Sequence, residues 1–84
     1  MSRLLDKLEE LRVITNVEGT PLTITRNGKA ERVRRIYRQW QVAEQLPQGE
    51  VLRNYFRVKT GKSLIYDIYR DTISNIWYLW KVYE

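Results

Sequence analysis

The segment from Arg26 to Trp40, "RNGKAERVRRIYRQW", holds six of the fifteen Lys and Arg residues of the chain. Between residues 26 and 38 these six cations face a single acid, Glu31, and that local balance equals the net charge of the whole protein, +5. Five of the six are arginines. A guanidinium presents a flat fork of donors that fits phosphate bidentately and stacks on planar bases. Tyr37 and Trp40 lie in the same stretch, and surfaces that hold single strands pair a basic groove with aromatic platforms. The chemistry on offer is therefore phosphate neutralisation by Arg32, Arg34, Arg35 and Arg38, with stacking on Tyr37 or Trp40. A second set, Arg57 and Lys59, would extend the track if its strand lay beside the first; Arg53 and Lys62 flank it. Two plainer readings stay open. Strand arginines commonly lay their stems over neighbouring rings with their heads in water, and an acidic protein surface would suit them as well as phosphate.

Other chemistries are closed. The chain has no Cys and no His. A thiol nucleophile, an imidazole base, a Ser–His–Asp relay and a disulfide are all excluded, and zinc loses both of its usual ligand types. Carboxylate or Mg²⁺ chemistry needs acids clustered in space, and the ten Asp and Glu are scattered along the chain. Asp67 is the one acid inside an otherwise apolar strand. A cross-strand ion pair with Arg57 or Lys81 explains it, since Asp71 is too distant along an extended strand to share a metal with it. No catalytic residue, metal or cofactor is expected, and the protein is expected not to be an enzyme.

The basic run must be positioned by a small domain, 84 residues read as a single unit (1–84). With no disulfides available, three Trp, six Tyr and one Phe must build the core, each ring burying on the order of 150–250 Å². Residues 2–11, "SRLLDKLEEL", read as an amphipathic helix with Ser2 as N-cap and a stripe of Leu4, Leu5, Leu8 and Leu11. From Val13 the pattern is that of strands. Asn27-Gly28 suits a type I′ turn, "QLPQGE" a loop, Gly61-Lys62 a tight turn and "TISN" another. The expected fold is mainly β with one N-terminal helix: a five-stranded antiparallel meander over 21–84, curled into a small SH3-like or Sm-like barrel. Curling is favoured over an open sheet because both faces of "SLIYDIYRD" and "IWYLWKVY" carry apolar groups, whereas a half-exposed sheet alternates more cleanly. Strict alternation along 32–42 would turn three arginines to the face of Ile36 and Trp40. A β-bulge near Arg34-Arg35 would keep the arginines out while Ile36, Trp40 and Val42 point in.

The stretch "NYFRVKTGKSLIYDIYRDTISNIWYLWKVYE" with "RVRRIYRQWQV" before it resembles a small bacterial domain family of unknown function, encoded beside or fused to Y-family translesion DNA polymerases. The resemblance runs from about 21 to 84. It rests on Trp40, Tyr55, Phe56, Arg57, Val58, Thr60, Tyr66, Tyr69, Arg70, Trp77, Tyr78 and Tyr83; the leucine-striped segment lies outside it. It implies a DNA-repair or replication setting and carries over no catalytic residues. Together with the basic run, it points to a non-enzymatic nucleic-acid-binding module, DNA being the expected ligand. The alternative is a protein-interaction module that docks on a polymerase or a second copy through Leu4, Leu5, Leu8 and Leu11 and exposed aromatics. Monomer and homodimer are both open. No apolar run approaches the ~20 residues of a membrane span, so no membrane partner is expected and the cytoplasm is the expected compartment.

Overall fold

A computed structural model describes residues 2–61 and 64–83, with side chains from Glu9 onward. Six antiparallel strands close into a barrel in chain order: β1 (Ser2–Thr15), β2 (Pro21–Arg26), β3 (Lys29–Leu46), β4 (Gly49–Thr60), β5 (Ile65–Asp71) and β6 (Trp77–Tyr83). The ring closes where β1 pairs with β6. The expected helix over 2–11 is overturned, and with it the count of five strands. Those residues are the first part of β1, which runs on through the β-branched stretch to Thr15. The physical reason lies in the ring. A ten-residue helix is marginal alone, whereas a strand at this place pairs with β6 and satisfies a sheet edge that would otherwise be open. Leu11 then falls inside the barrel. The side chains of Leu4, Leu5 and Leu8 lie outside the described residues, and the helical stripe that was to join all four to a partner does not exist.

Two strands change neighbour along their length. β1 pairs with β6 as far as Leu11 and with β2 from Arg12. β3 pairs with β2 over Lys29–Arg32 and with β4 from Val33. Irregularities let them bend. Between Val33 and Arg35 and again between Ile36 and Arg38, two steps on β3 match one on β4, so Arg34 and Tyr37 are the extra residues of two bulges. The turn at Asn27-Gly28 has the predicted form, with both residues at positive φ (52° and 77°), as a type I′ hairpin needs. "QLPQGE" is not a loop: Leu46 pairs with Gly49 and only Pro47-Gln48 turn. The reading of Gly61-Lys62 falls partly outside the described residues; Thr60 N–H donates to Leu64 C=O across it at 3.1 Å.

The interior is filled by Leu11, Ile24, Phe56, Val58, Tyr66, Ile68, Trp77, Leu79 and Val82, with Val13, Val33, Ile36 and Leu64 packed against them. In β6 strict alternation is broken at one point. Ile68 lies opposite Leu79 and Asp67 opposite Lys81, so Trp80 is an extra residue. The bulge sends Trp77, Leu79 and Val82 inward and leaves Tyr78, Trp80, Lys81 and Tyr83 on the outside.

Candidate functional site

The outer wall over β3–β6 is ordered into transverse rows by strand register. One row is aromatic: Trp40, Tyr55, Tyr69 and Tyr78 face one another across four strands. Trp40 stacks on Tyr55 (centroids 5.2 Å apart, planes 12°), and Tyr55–Tyr69 and Tyr69–Tyr78 follow at 5.0 and 5.3 Å. Trp80 meets Tyr55 edge-on at 5.0 Å. Such ring pairs contribute about 0.5–1.5 kcal/mol beyond their area burial. Trp40 therefore faces outward, contrary to the expectation that it points in, and Val42 is exposed as well. The second bulge, at Tyr37, reverses the parity of everything after it.

The adjacent row is charged: Arg38, Arg57, Asp67 and Lys81. Asp67 is 0 % exposed although it faces outward. Its Oδ1 accepts from Arg57 Nε at 2.9 Å and its Oδ2 from Arg57 Nη2 at 3.1 Å. Tyr83 Oη donates to the same Oδ2 at 2.7 Å while accepting from Arg57 Nη2 at 2.7 Å. The expected pairing of Asp67 with Arg57 is thus present. The bond to Asp67 holds the Arg57 guanidinium above its ordinary pKa, while burial, then the bond to Asp67, raises that of Tyr83. Arg57 is consequently spent on structure, its ring contacts (Tyr83 at 4.9 Å, Trp40 at 5.7 Å) completing a fixed cluster.

The remaining predicted cations are placed differently. Arg32, Arg34, Arg35 and Arg38 are exposed, and Lys59 lies directly across from Arg35 on β4. Because Arg34 and Tyr37 are bulge residues, the pairs Arg34-Arg35 and Tyr37-Arg38 both turn outward, with Ile36 alone between them packed inward. Arg35 lies 5.0 Å from the Tyr37 ring and Arg38 4.8 Å from that of Trp40. Tyr37 is 43 % exposed; Trp40 is half-buried beneath Arg38. Arg34 lies along Gly61, where an added Cβ would come 3.5 Å from its Nε. Among the described residues none of these five cations forms an ion pair, whereas Arg26, Arg53 and Arg57 are tied to Glu9, Glu44 and Asp67. The basic strand and the second set, on β4, are therefore neighbours, and they form one outward stripe from Arg32 to Arg38 with Lys59 beside it.

Register gives two cations a place in this layer: Arg53, read from the sequence only as flanking the second set, and Lys81, read only as a possible partner for Asp67. Arg53 lies over Tyr69 at 5.3 Å and Lys81 over Trp80 at 4.4 Å, extending the layer of cations on rings to β6. Their common signal in the sequence is a basic residue two positions from, or next to, an aromatic, as in "RNY" and "WK"; which rings they would cover depended on pairing.

Inside one mouth of the barrel, Glu31 accepts from Thr60 Oγ1 (3.0 Å) and Tyr66 Oη (3.3 Å), and Arg26 binds Glu9 at 2.8 Å. A cleft of about 450 Å³ opens there between Arg26, Lys29, Glu31, Leu64 and Tyr66. Of its lining groups, Glu31 and Tyr66 bond to each other and Arg26 bonds to Glu9. Among the described residues no group of three or more carboxylates could hold a metal ion, and no helix is long and apolar enough to cross a membrane. No family model, curated protein or solved structure matches the chain.

Proposed function

We propose that the protein is a non-enzymatic module that binds nucleic acid, single-stranded or distorted DNA in particular, along the outer face of β3. The observation that carries this reading is the pair of bulges at Arg34 and Tyr37, which gathers four arginines and an exposed tyrosine onto one face while their neighbours' charges are consumed in ion pairs. Arg32, Arg34, Arg35 and Arg38 contact phosphates, Lys59 flanks them, and Tyr37 offers a stacking face. Arg57 and Trp40 act beneath this surface, holding its shape. The repair or replication setting rests on the resemblance to the polymerase-associated family alone.

Intrinsic Trp fluorescence, titrated with a short single-stranded oligonucleotide at several salt concentrations, tests the reading, because Trp40 lies under Arg38. Release of counterions from about four phosphates predicts a log–log slope of affinity against salt near −3. An Arg34→Glu/Arg35→Glu variant should keep the fold and lose the binding. A folded wild-type protein that binds no oligonucleotide at low salt removes the proposal.

A further inference from the structure

Beyond Arg32, β3 has a strand on one side only, and among the described residues no backbone group of Val33–Leu46 bonds to anything but β4. The two bulges interrupt the first part of this edge. From Arg38 to Leu46, however, the ladder with Gly49–Arg57 is regular, residue for residue. Proteins usually blunt an open edge with Lys, Pro, a bulge or a covering segment. "QWQVAEQL" has none of these among the described residues, and its one charge, Glu44, is bound to Arg53 through Oε2. The hairpin fixes which groups face away. In a two-residue turn the flanking pair, here Leu46–Gly49, exchanges hydrogen bonds. Even-numbered residues therefore bond to β4, and Gln39, Gln41, Ala43 and Gln45 aim their N–H and C=O at the open side.

We infer that this edge pairs with the same edge of a second copy, antiparallel about a two-fold axis at Gln41, so that the β3–β6 sheets of two barrels become continuous. The segment "RQWQVAE" reads as its own complement about that point. Arg38 falls opposite Glu44 of the partner subunit, Trp40 opposite the partner's Val42, Gln39 opposite the partner's Ala43, and Gln41 opposite itself. The odd-numbered residues, whose backbone groups face outward, meet odd-numbered residues, as an antiparallel hydrogen-bonded ladder requires. Opposite charges and an aromatic facing a β-branched residue are the favourable cross-strand pairs. Like charges stay apart, since the two Arg38 residues stand six positions out of register, roughly 20 Å along the strands. A two-fold contact is closed, so the pairing stops at a dimer.

Sedimentation equilibrium across a range of protein concentrations, without nucleic acid, tests this separately from the proposed binding function. The wild-type chain should reach twice its monomer mass. Ala43→Pro removes an outward N–H without touching the β4 ladder or any side-chain bond; it should abolish the dimer while circular dichroism stays unchanged, and its melting temperature should no longer rise with protein concentration as that of the wild type does. Arg38→Glu and Glu44→Arg should each weaken dimerisation about tenfold, and the double reversal should restore it. A wild-type protein that remains monomeric, an Ala43→Pro variant that still dimerises, or a double reversal that fails to rescue would each overturn the inference. The charge reversals keep the test decisive should Ala43→Pro disturb the monomer.

Discussion

At the scale of single residues, Asp67 shows how the outer wall is held. It lies between Arg57 and Lys81 in register, with Arg38 one strand further, so the row holds three cations and one buried carboxylate, which Arg57 alone of the three contacts. Removing its charge would leave Arg57 between Arg38 and Lys81 with no counter-charge in the row. Asp67→Asn should therefore lower stability by about 2–3 kcal/mol. That is less than the ~3–5 kcal/mol of a fully buried broken pair, because the Arg57 side chain is 33 % exposed and can rehydrate. Urea unfolding measures the change, and a loss below about 0.5 kcal/mol would mean the pair is only decorative. This pairing was legible in the sequence because an isolated acid in an apolar strand needs a cation opposite. The orientation of Trp40 was not, since it depended on a second bulge at Tyr37 that no residue type announces. Glycine and proline, which often flag irregular strands, are absent there.

Elements tell the same story at a larger scale. Hairpins with a chemical signature were readable: Asn27-Gly28 adopts the left-handed pair of conformations its composition favours. Gly28, at φ 77°, sits where a Cβ would be strained although nothing crowds the site. Gly28→Ala should thus cost about 1–2 kcal/mol through backbone conformation alone, seen as a lower melting temperature without loss of the barrel's circular dichroism. The N-terminal segment misled because leucines at 4, 5, 8 and 11 satisfy a helical period. Local periodicity could not report that β6 would need a partner, and the tertiary pairing overrode it. Of the twelve residues on which the expected resemblance rests, five lie in the interior (Phe56, Val58, Thr60, Tyr66, Trp77) and five in the outer aromatic layer (Trp40, Tyr55, Tyr69, Tyr78, Tyr83), while Arg57 and Arg70 bond to Asp67 and Asn75. They describe packing, whereas the exposed arginines of the candidate site lie largely outside that set.

For the molecule as a whole, the tyrosines set its response to alkali. Burial raises the phenol pKa of Tyr66 and Tyr69, and burial with the bond to Asp67 raises that of Tyr83. The fold thus favours their neutral forms. As pH climbs past about 10, tyrosines in the unfolded chain ionise while these three stay protonated; the native state then binds more protons and stability falls with rising pH. Below that range the contribution is fully present. Parallel titrations of phenolate absorbance and of the β-sheet signal should show these phenols ionising together with loss of structure. Ordinary tyrosine titration with the fold intact would contradict the assignment. The closed ring has one further consequence. Five of its six ladders join strands adjacent in the chain, but the sixth joins the first strand to the last, Ser2 opposite Tyr83. Closing that seam spans nearly the entire chain, three doublings beyond a ten-residue loop, and costs roughly 2 kcal/mol more in chain entropy. The hairpins, closed by short turns, should form before the seam, and backbone amides along β1 and β6, on the side away from the basic stripe, should exchange with solvent first.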